Sequence, residues 1–293
     1  MKNELGLPDW LVEVVEQTRN QYDPGEKTDY SATSLLVPPM IYTLQKEHQP
    51  EEDVSNALPA FFGTCVHNQI EYFLKDNPRY IVEERLYHTF YIPDAPGEKK
   101  EYVVSAQIDL FDKENKELSD HKLSKMYSFQ KEKFEYEAQL NLQQYLLRKK
   151  YGEVVESIKI NGFAKDWSAA GRGKDYPPSA YIPVDFPVWA DEDVEAWVAH
   201  CVVEKEQALN GQIRLCDSRE RWQTPSKIAL MKKGRKSAVK LYDSMEEAER
   251  ALAEKDEKHY IEDRPGIDIR CTNEVFCPVR EHCSYYQEKY IDG

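Results

Sequence analysis

The sequence predicts an α/β fold in which a helix, three antiparallel strands, a second helix and a fourth strand follow one another. Three observations predict it. Apolar residues recur at helical spacing over residues 61–75 and again over 128–150, two runs rich in β-branched and aromatic residues and a shorter third strand lie between them, and a fourth strand covers 155–163.

In order, residues 8–22 read as a helix with Pro8 near its start and Trp10, Leu11, Val14 and Val15 on one stripe. Asp23-Pro24-Gly25 marks a turn before a short segment over 31–48. The helix over 61–75 places Phe62, Val66, Ile70 and Phe73 on an expected core face, with Gly63, His67 and Glu71 on the stripe beside it. Strands follow over 80–92 and 101–111, parted by Pro93, Pro96 and Gly97, and a shorter strand over 116–123 comes after the polar turn 112–115. Phe134, Ala138, Leu142 and Leu146 mark the second helix, which ends before Gly152. Past Pro187 come a helix over 191–210 stopped by Gly211, a hairpin over 228–242 turning near Lys233-Gly234, and a helix to about 258 opened by Ser244 and Glu247. The expected organisation is an N-terminal helix and linker (1–30), a core (31–190) and a C-terminal helical and hairpin segment (191–293).

The chain has 293 residues, with 39 Lys and Arg against 53 Asp and Glu, a net charge of −14. That balance argues against a protein that coats nucleic acid by bulk charge, and it leaves room for local basic surfaces. No apolar run reaches the ~18 residues of a membrane span. The opening residues are charged too early for a secretory signal, so a cytoplasmic protein without a membrane partner is expected.

The chemistry concentrates on two strands. Asp109 closes the second, and the third carries Ser119-Asp120-His121-Lys122. Residues two apart on a strand share a face, so Asp120 and Lys122 point together and His121 points away. Asp109 and Asp120 can then meet around one divalent cation, with His67 from the preceding helix as the imidazole. Two carboxylates, an imidazole and water suit Mg²⁺ or Mn²⁺, and a lysine beside them can orient a water or steady a phosphoryl transition state.

In this ordered set the sequence resembles the PD-(D/E)XK nuclease superfamily, in its RecB-like exonuclease branch common in phages. GTCVHNQIE resembles the branch's helix motif through Gly63, His67 and Glu71. SAQIDLFD resembles its second-strand motif with Asp109, SDHKLSK its D-x-K signature with Asp120 and Lys122, and EAQLNLQQYLL the following helix with Gln139. The resemblance spans residue 31 to the C-terminus. It implies a restriction-endonuclease-like core and a Mg²⁺- or Mn²⁺-dependent DNA exonuclease. Asp109, Asp120, His67 and the backbone carbonyl of His121 would hold the metal, and Lys122 would position the nucleophile. Gln139 would orient Lys122 or the substrate, and Glu71 would act through a water or a second ion. The family helix usually carries tyrosine four residues after the glutamine; Gln143 stands there, and Tyr145 would point elsewhere. Glu84 in VEERL is equally a carboxylate near the metal or a solvated strand residue.

Cys271, Cys277 and Cys283 lie within thirteen residues, and Cys216 is the best fourth member. Four thiolates can hold a [4Fe-4S] cluster or a structural Zn²⁺, with His282 able to replace one of them for zinc, or can remain free thiols. The resemblance implies the cluster, although the family's C-x-x-C spacing is widened here and its upstream cysteine is replaced by Val37. Between 226 and 242 there is no acid, and Lys232, Lys233, Arg235 and Lys236 make the hairpin either a phosphate-gripping finger or a solvated surface. The expected partner is DNA, with a phage recombination or annealing protein as a possible second. The rival readings are a nuclease-fold protein that binds DNA or an assembly partner without cutting, and a structure-specific endonuclease.

Overall fold

The computed structural model describes residues 1–20, 28–95, 98–130, 133–171, 173 and 176–292. The expected turns at Asp23-Pro24-Gly25 and at Pro96-Gly97 lie outside the described residues. The chain forms two compact units, residues 1–43 with 51–213, and residues 44–50 with 214–293.

The first unit is built on a six-stranded mixed sheet: β1 (Tyr30–Ser31), β2 (Tyr80–Ala95), β3 (Glu98–Asp112), β4 (Glu117–Ser124), β5 (Ser157–Ala164) and β6 (Tyr181–Phe186). Its helices are α1 (Asp9–Asn20), α2 (Ala32–Leu36), α3 (Pro39–His48), which continues into the second unit, α4 (Val54–Leu74), α5 (Phe134–Tyr151) and α6 (Asp191–Leu209). β2 and β3 form a long antiparallel pair, and β4 and β5 run parallel with α5 as the crossover that a parallel pair requires. β6 was not anticipated. It contains Pro183, which cannot donate to a ladder, and it sits where a proline strand is tolerated, at the end of the strand order.

Two apolar helices close the core. Leu140, Leu142, Leu146 and Leu147 of α5 are fully buried, as are Val194, Val198 and Val202 of α6, one stripe at four-residue spacing. That stripe packs on the sheet core, so α6 belongs to the first unit and the division between units falls after residue 213. Gly152 ends α5 in the left-handed conformation (φ 69°), where a side chain would be strained.

One feature of the sheet creates the site. β3 pairs with β2 along one edge, but its other edge is shared. β1 takes Val104 and Ser105, β4 takes Leu110, Phe111 and Asp112, and residues 106–109 between them form a fork. In the fork the Gln107 carbonyl accepts a 2.7 Å hydrogen bond from Gln143 Nε2 of α5, which replaces the missing ladder partner.

The second unit carries a three-stranded antiparallel sheet, β7 (Lys227–Lys232), β8 (Lys240–Tyr242) and β9 (His259–Arg264), with α7 (Met245–Ala253). The expected hairpin is present, and the Ser244 hydroxyl caps α7 by accepting from the Glu247 amide. The helix stops at Ala253, and β9 follows it. In HYIEDR charged residues hide the strand alternation from a reading of hydrophobicity alone. Beyond the sheet, the fully buried Asp268 gathers four donors: Lys289 Nζ at 2.7 Å, Tyr285 OH at 2.7 Å, Tyr290 OH at 3.0 Å and Arg221 Nε at 3.2 Å. Arg221 also donates to the Cys216 carbonyl, so one carboxylate ties the Cys216 segment to the C-terminal tail.

Candidate active site

The fork opens into a cavity of about 770 Å³ in the first unit, lined by residues of α4, β2, β3, β4 and α5. Asp109 stands at its apex. One step past the Leu110–Ser119 pair, antiparallel register sets Asp109 opposite Asp120, and the Asp109 carboxylate accepts the His121 amide at 2.6 Å. Asp120 is held from two sides, by Gln139 Nε2 at 2.6 Å and by Lys122 Nζ at 2.6 Å.

His67 reaches the same point from α4. Its Nδ1 lies 2.8 Å from Glu83 Oε1 and 3.6 Å from Asp109 Oδ2, and its Nε2 lies 3.1 Å from the His121 carbonyl oxygen. Ligand atoms of His67, Glu83 and Asp109 all fall within 4.8 Å of one another. Glu83, which the sequence reading passed over, sits on β2 opposite Asp109, between the pairs Val82–Leu110 and Glu84–Ile108. Its backbone has φ 48°, a strained value for a non-glycine residue and one that a surrounding network must hold. Here that network is His67 on one carboxylate oxygen and Gln107 Nε2, at 2.7 Å, on the other.

The electrostatics of the site suit a cation. Burial pushes the Asp109 carboxyl above its ordinary range and Asp120 adds to the rise, against the pull of His67 and Lys122. Both partners of the His67 ring are acceptors, an arrangement that favours a proton on each ring nitrogen and raises the His67 pKa. Burial opposes that charge, and Glu83 with Asp109 outweighs it. Two carboxylates and an imidazole nitrogen thus converge at the Nδ1 edge of His67, a donor set that suits a small hard divalent ion. Burial also disfavours the Lys122 ammonium, but Asp120 and Asp109 hold its pKa above the usual lysine range. The His121 ring is pushed down to about 4 by burial and by the His67 charge, so it stays neutral.

The structure therefore brings together His67, Asp109, Asp120, Lys122, Gln139 and the His121 carbonyl. It adds Glu83 to the three-way ligand group, whereas Asp120 faces Lys122 and Gln139. Glu71 is not among the residues lining the cavity; its carbonyl accepts from the Lys75 amide at the end of α4. Glu84 points to the opposite face and pairs with Lys150 and Tyr151, which makes it the surface carboxylate of the two alternatives. One sequence signal could have separated the two acids: strand parity and the register opposite Asp109 select Glu83. Tyr145 is buried away from the cavity and donates to Glu195 at 2.6 Å.

α4 is rotated from expectation. Phe62 is 50% and Phe73 71% exposed, and no residue of α4 beyond Ala57 is buried. The stripe carrying Gly63 and His67 turns inward, because His67 must meet Glu83 on β2 and the His121 carbonyl on β4.

In the second unit, Cys271 and Cys277 are buried, and Cys216 and Cys283 are half-buried. Cys216 and Cys271 each feel both Cys277 and Cys283. Burial, together with acidic and thiol neighbours, pushes Cys216 up to about 12 and Cys271 up to about 11. Among the described residues these sulfurs do not make a three-ligand group within 4.8 Å. Lys232, Lys233, Arg235 and Lys236 are all exposed, at the end of β7 and in the loop leading to β8. No helix among the described residues is long and apolar enough to cross a membrane.

No protein-family model matches the chain, and no curated protein matches it. Among solved structures, SSO0001 superposes with a TM-score of 0.51 at 16% identity, covering 73% of this chain and 90% of that one. At that identity the likeness shows a shared fold. A "Putative exonuclease" from Eubacterium rectale matches over 69% of this chain and 77% of its own at 14% identity, with a TM-score of 0.29 that is too low to build on.

Proposed function

We propose that the chain is a metal-dependent deoxyribonuclease of the RecB-like PD-(D/E)XK type, working from DNA ends. The observation that carries this reading is the convergence of Asp109, His67, Glu83 and the Asp120–Lys122 pair on one cavity, from four successive elements. His67, Glu83, Asp109 and the His121 carbonyl would hold a Mg²⁺ or Mn²⁺ ion, with Asp120 beside them. When bound, that ion supplies Lewis-acid polarisation of the phosphate and lowers the pKa of water.

The protein groups do the rest. Lys122, kept charged by Asp120 and Asp109, donates to the attacking water or to a phosphoryl oxygen as charge builds on it. Asp120 aims the lysine, and Gln139 fixes Asp120 through its other oxygen. The exposed cations around 232–236 would add sequence-independent contacts to phosphates. The four cysteines would hold a structural iron–sulfur cluster, since buried thiols with raised pKa values ionise only when a metal takes the proton's place.

The test is degradation of DNA labelled in turn at each end, single- and double-stranded, with Mg²⁺ or Mn²⁺. Wild-type protein is expected to shorten one labelled strand progressively, and Asp120→Ala and Lys122→Ala each to slow it by 10²-fold or more. Intact DNA under every condition, or full activity in both variants, defeats the reading. Anaerobically purified protein is expected to show visible absorbance and about four irons per chain; zinc with no colour would replace the cluster by a single ion.

A further inference from the structure

Along the floor of the cavity, β2 and β3 present cross-strand pairs on one face. Glu83 stands opposite Asp109, Arg85 pairs with Gln107, and Tyr87 pairs with Ser105; all six line the cavity. Successive pairs on the same face are about 6.6 Å apart, because each strand residue rises about 3.3 Å. That step matches the reach of one nucleotide of extended sugar–phosphate backbone. The pair at which a metal-held phosphate would lie is therefore followed, one nucleotide on, by a guanidinium.

Arg85 is set for that role by its neighbours. Its Nη2 donates to Gln107 Oε1 at 3.0 Å and its Nη1 reaches Ser105 Oγ at 3.5 Å. Gln107 is in turn oriented by donating to Glu83, which links the guanidinium to the ligand group through one amide. The floor is open here because residues 106–109 of β3 lie between the stretches paired with β1 and β4. A planar guanidinium held by cross-strand neighbours on the same face is a side chain well suited to a phosphate, through paired N–H donors.

We propose that Arg85, oriented by Gln107 and Ser105, binds the DNA phosphate adjacent to the scissile one, so that the strand runs along β2 and β3 from the Asp109 end toward Tyr87. The proposal rests on the nuclease reading for its scissile position, and it makes Arg85 a substrate-binding residue. The side of the scissile bond on which Arg85 acts is the side that lies over Tyr87, and the modified oligonucleotides read whether it is 5′ or 3′.

Single-stranded oligonucleotides with one neutral methylphosphonate, placed either 5′ or 3′ of the cleaved linkage, test it against wild type, Arg85→Gln and Arg85→Lys. A charge-assisted hydrogen bond contributes roughly 1.5–3 kcal/mol, so Arg85→Gln should lower kcat/KM on unmodified DNA by about 10- to 100-fold. A methylphosphonate on one side only should cost wild type a similar factor and cost Arg85→Gln little more. Arg85→Lys should recover part of the loss, since it restores charge without the fork. Independent, multiplying losses, or an unaffected Arg85→Gln, overturn the proposal. The same combinations are read by fluorescence anisotropy in Ca²⁺. If wild type binds but does not cut, the nuclease reading fails while the anisotropy cycle still decides Arg85; if no oligonucleotide binds, the proposal fails with it.

Discussion

Asp109→Asn is expected to remove Mn²⁺ binding from the cavity and to lower cleavage by about 10³-fold or more, the scale of several kcal/mol of lost transition-state stabilisation. Asp109 touches both halves of the site. Its carboxylate accepts the His121 amide, which sets β4 against β3, and lies 3.6 Å from His67 Nδ1 in the ligand group. An amide in its place keeps the shape, loses the negative charge and presents N–H donors toward the His121 amide or the His67 ring. Titration calorimetry with Mn²⁺ separates the two consequences. Glu83→Gln, which leaves Asp109 in place, is expected to weaken binding about 10- to 100-fold, since it trades a charged ligand oxygen for a neutral one. Equal Mn²⁺ affinity in Asp109→Asn and wild type would place the ion elsewhere.

Asp268→Asn is expected to destabilise the second unit by about 3–5 kcal/mol, the cost of breaking a buried ion pair on one side. Burial alone would raise the Asp268 carboxyl, but hydrogen bonds from Lys289, Tyr285, Tyr290 and Arg221 overcome it and hold the pKa at about 2. The folded value lies below the ordinary carboxylate range, so the stabilisation is fully present above about pH 4 and is lost as pH falls through about 2. Thermal unfolding between pH 2 and 7 reads this directly. The wild-type transition of the second unit should fall steeply at the acid end, and that of Asp268→Asn should start lower and fall less. Because Arg221 also holds the Cys216 carbonyl, the variant should expose the thiols to a disulfide reagent faster in metal-free protein. Unchanged unfolding would show that the four donors are satisfied by water at no cost.

Much of the fold was legible because its signals are local. Periodicities of 3.6 and 2 located α5, α6 and the strands β2 to β5 from neighbours in the chain alone. β6 and β9 were missed for a local reason as well. A proline in one and four charged or imidazole side chains in the other hide an alternation that only pairing makes visible. The rotation of α4 shows the same limit from the other side. Phe62 and Phe73 of its more apolar stripe are exposed and Val66 and Ile70 only half-buried, while His67 on the neighbouring stripe meets Glu83.

By itself the sequence determined the order of elements, the Asp109 and Asp120–Lys122 positions on neighbouring strands, and the cluster of cysteines near the C-terminus. Tertiary structure decided which acid joins them, Glu83 rather than Glu84, and which glutamine fills the fork in β3. It also placed Arg85 one step along the cavity floor. The physical reason is range. Helix and strand periods are written in adjacent residues, whereas cross-strand register and the partner across a cleft depend on contacts between elements far apart in the chain.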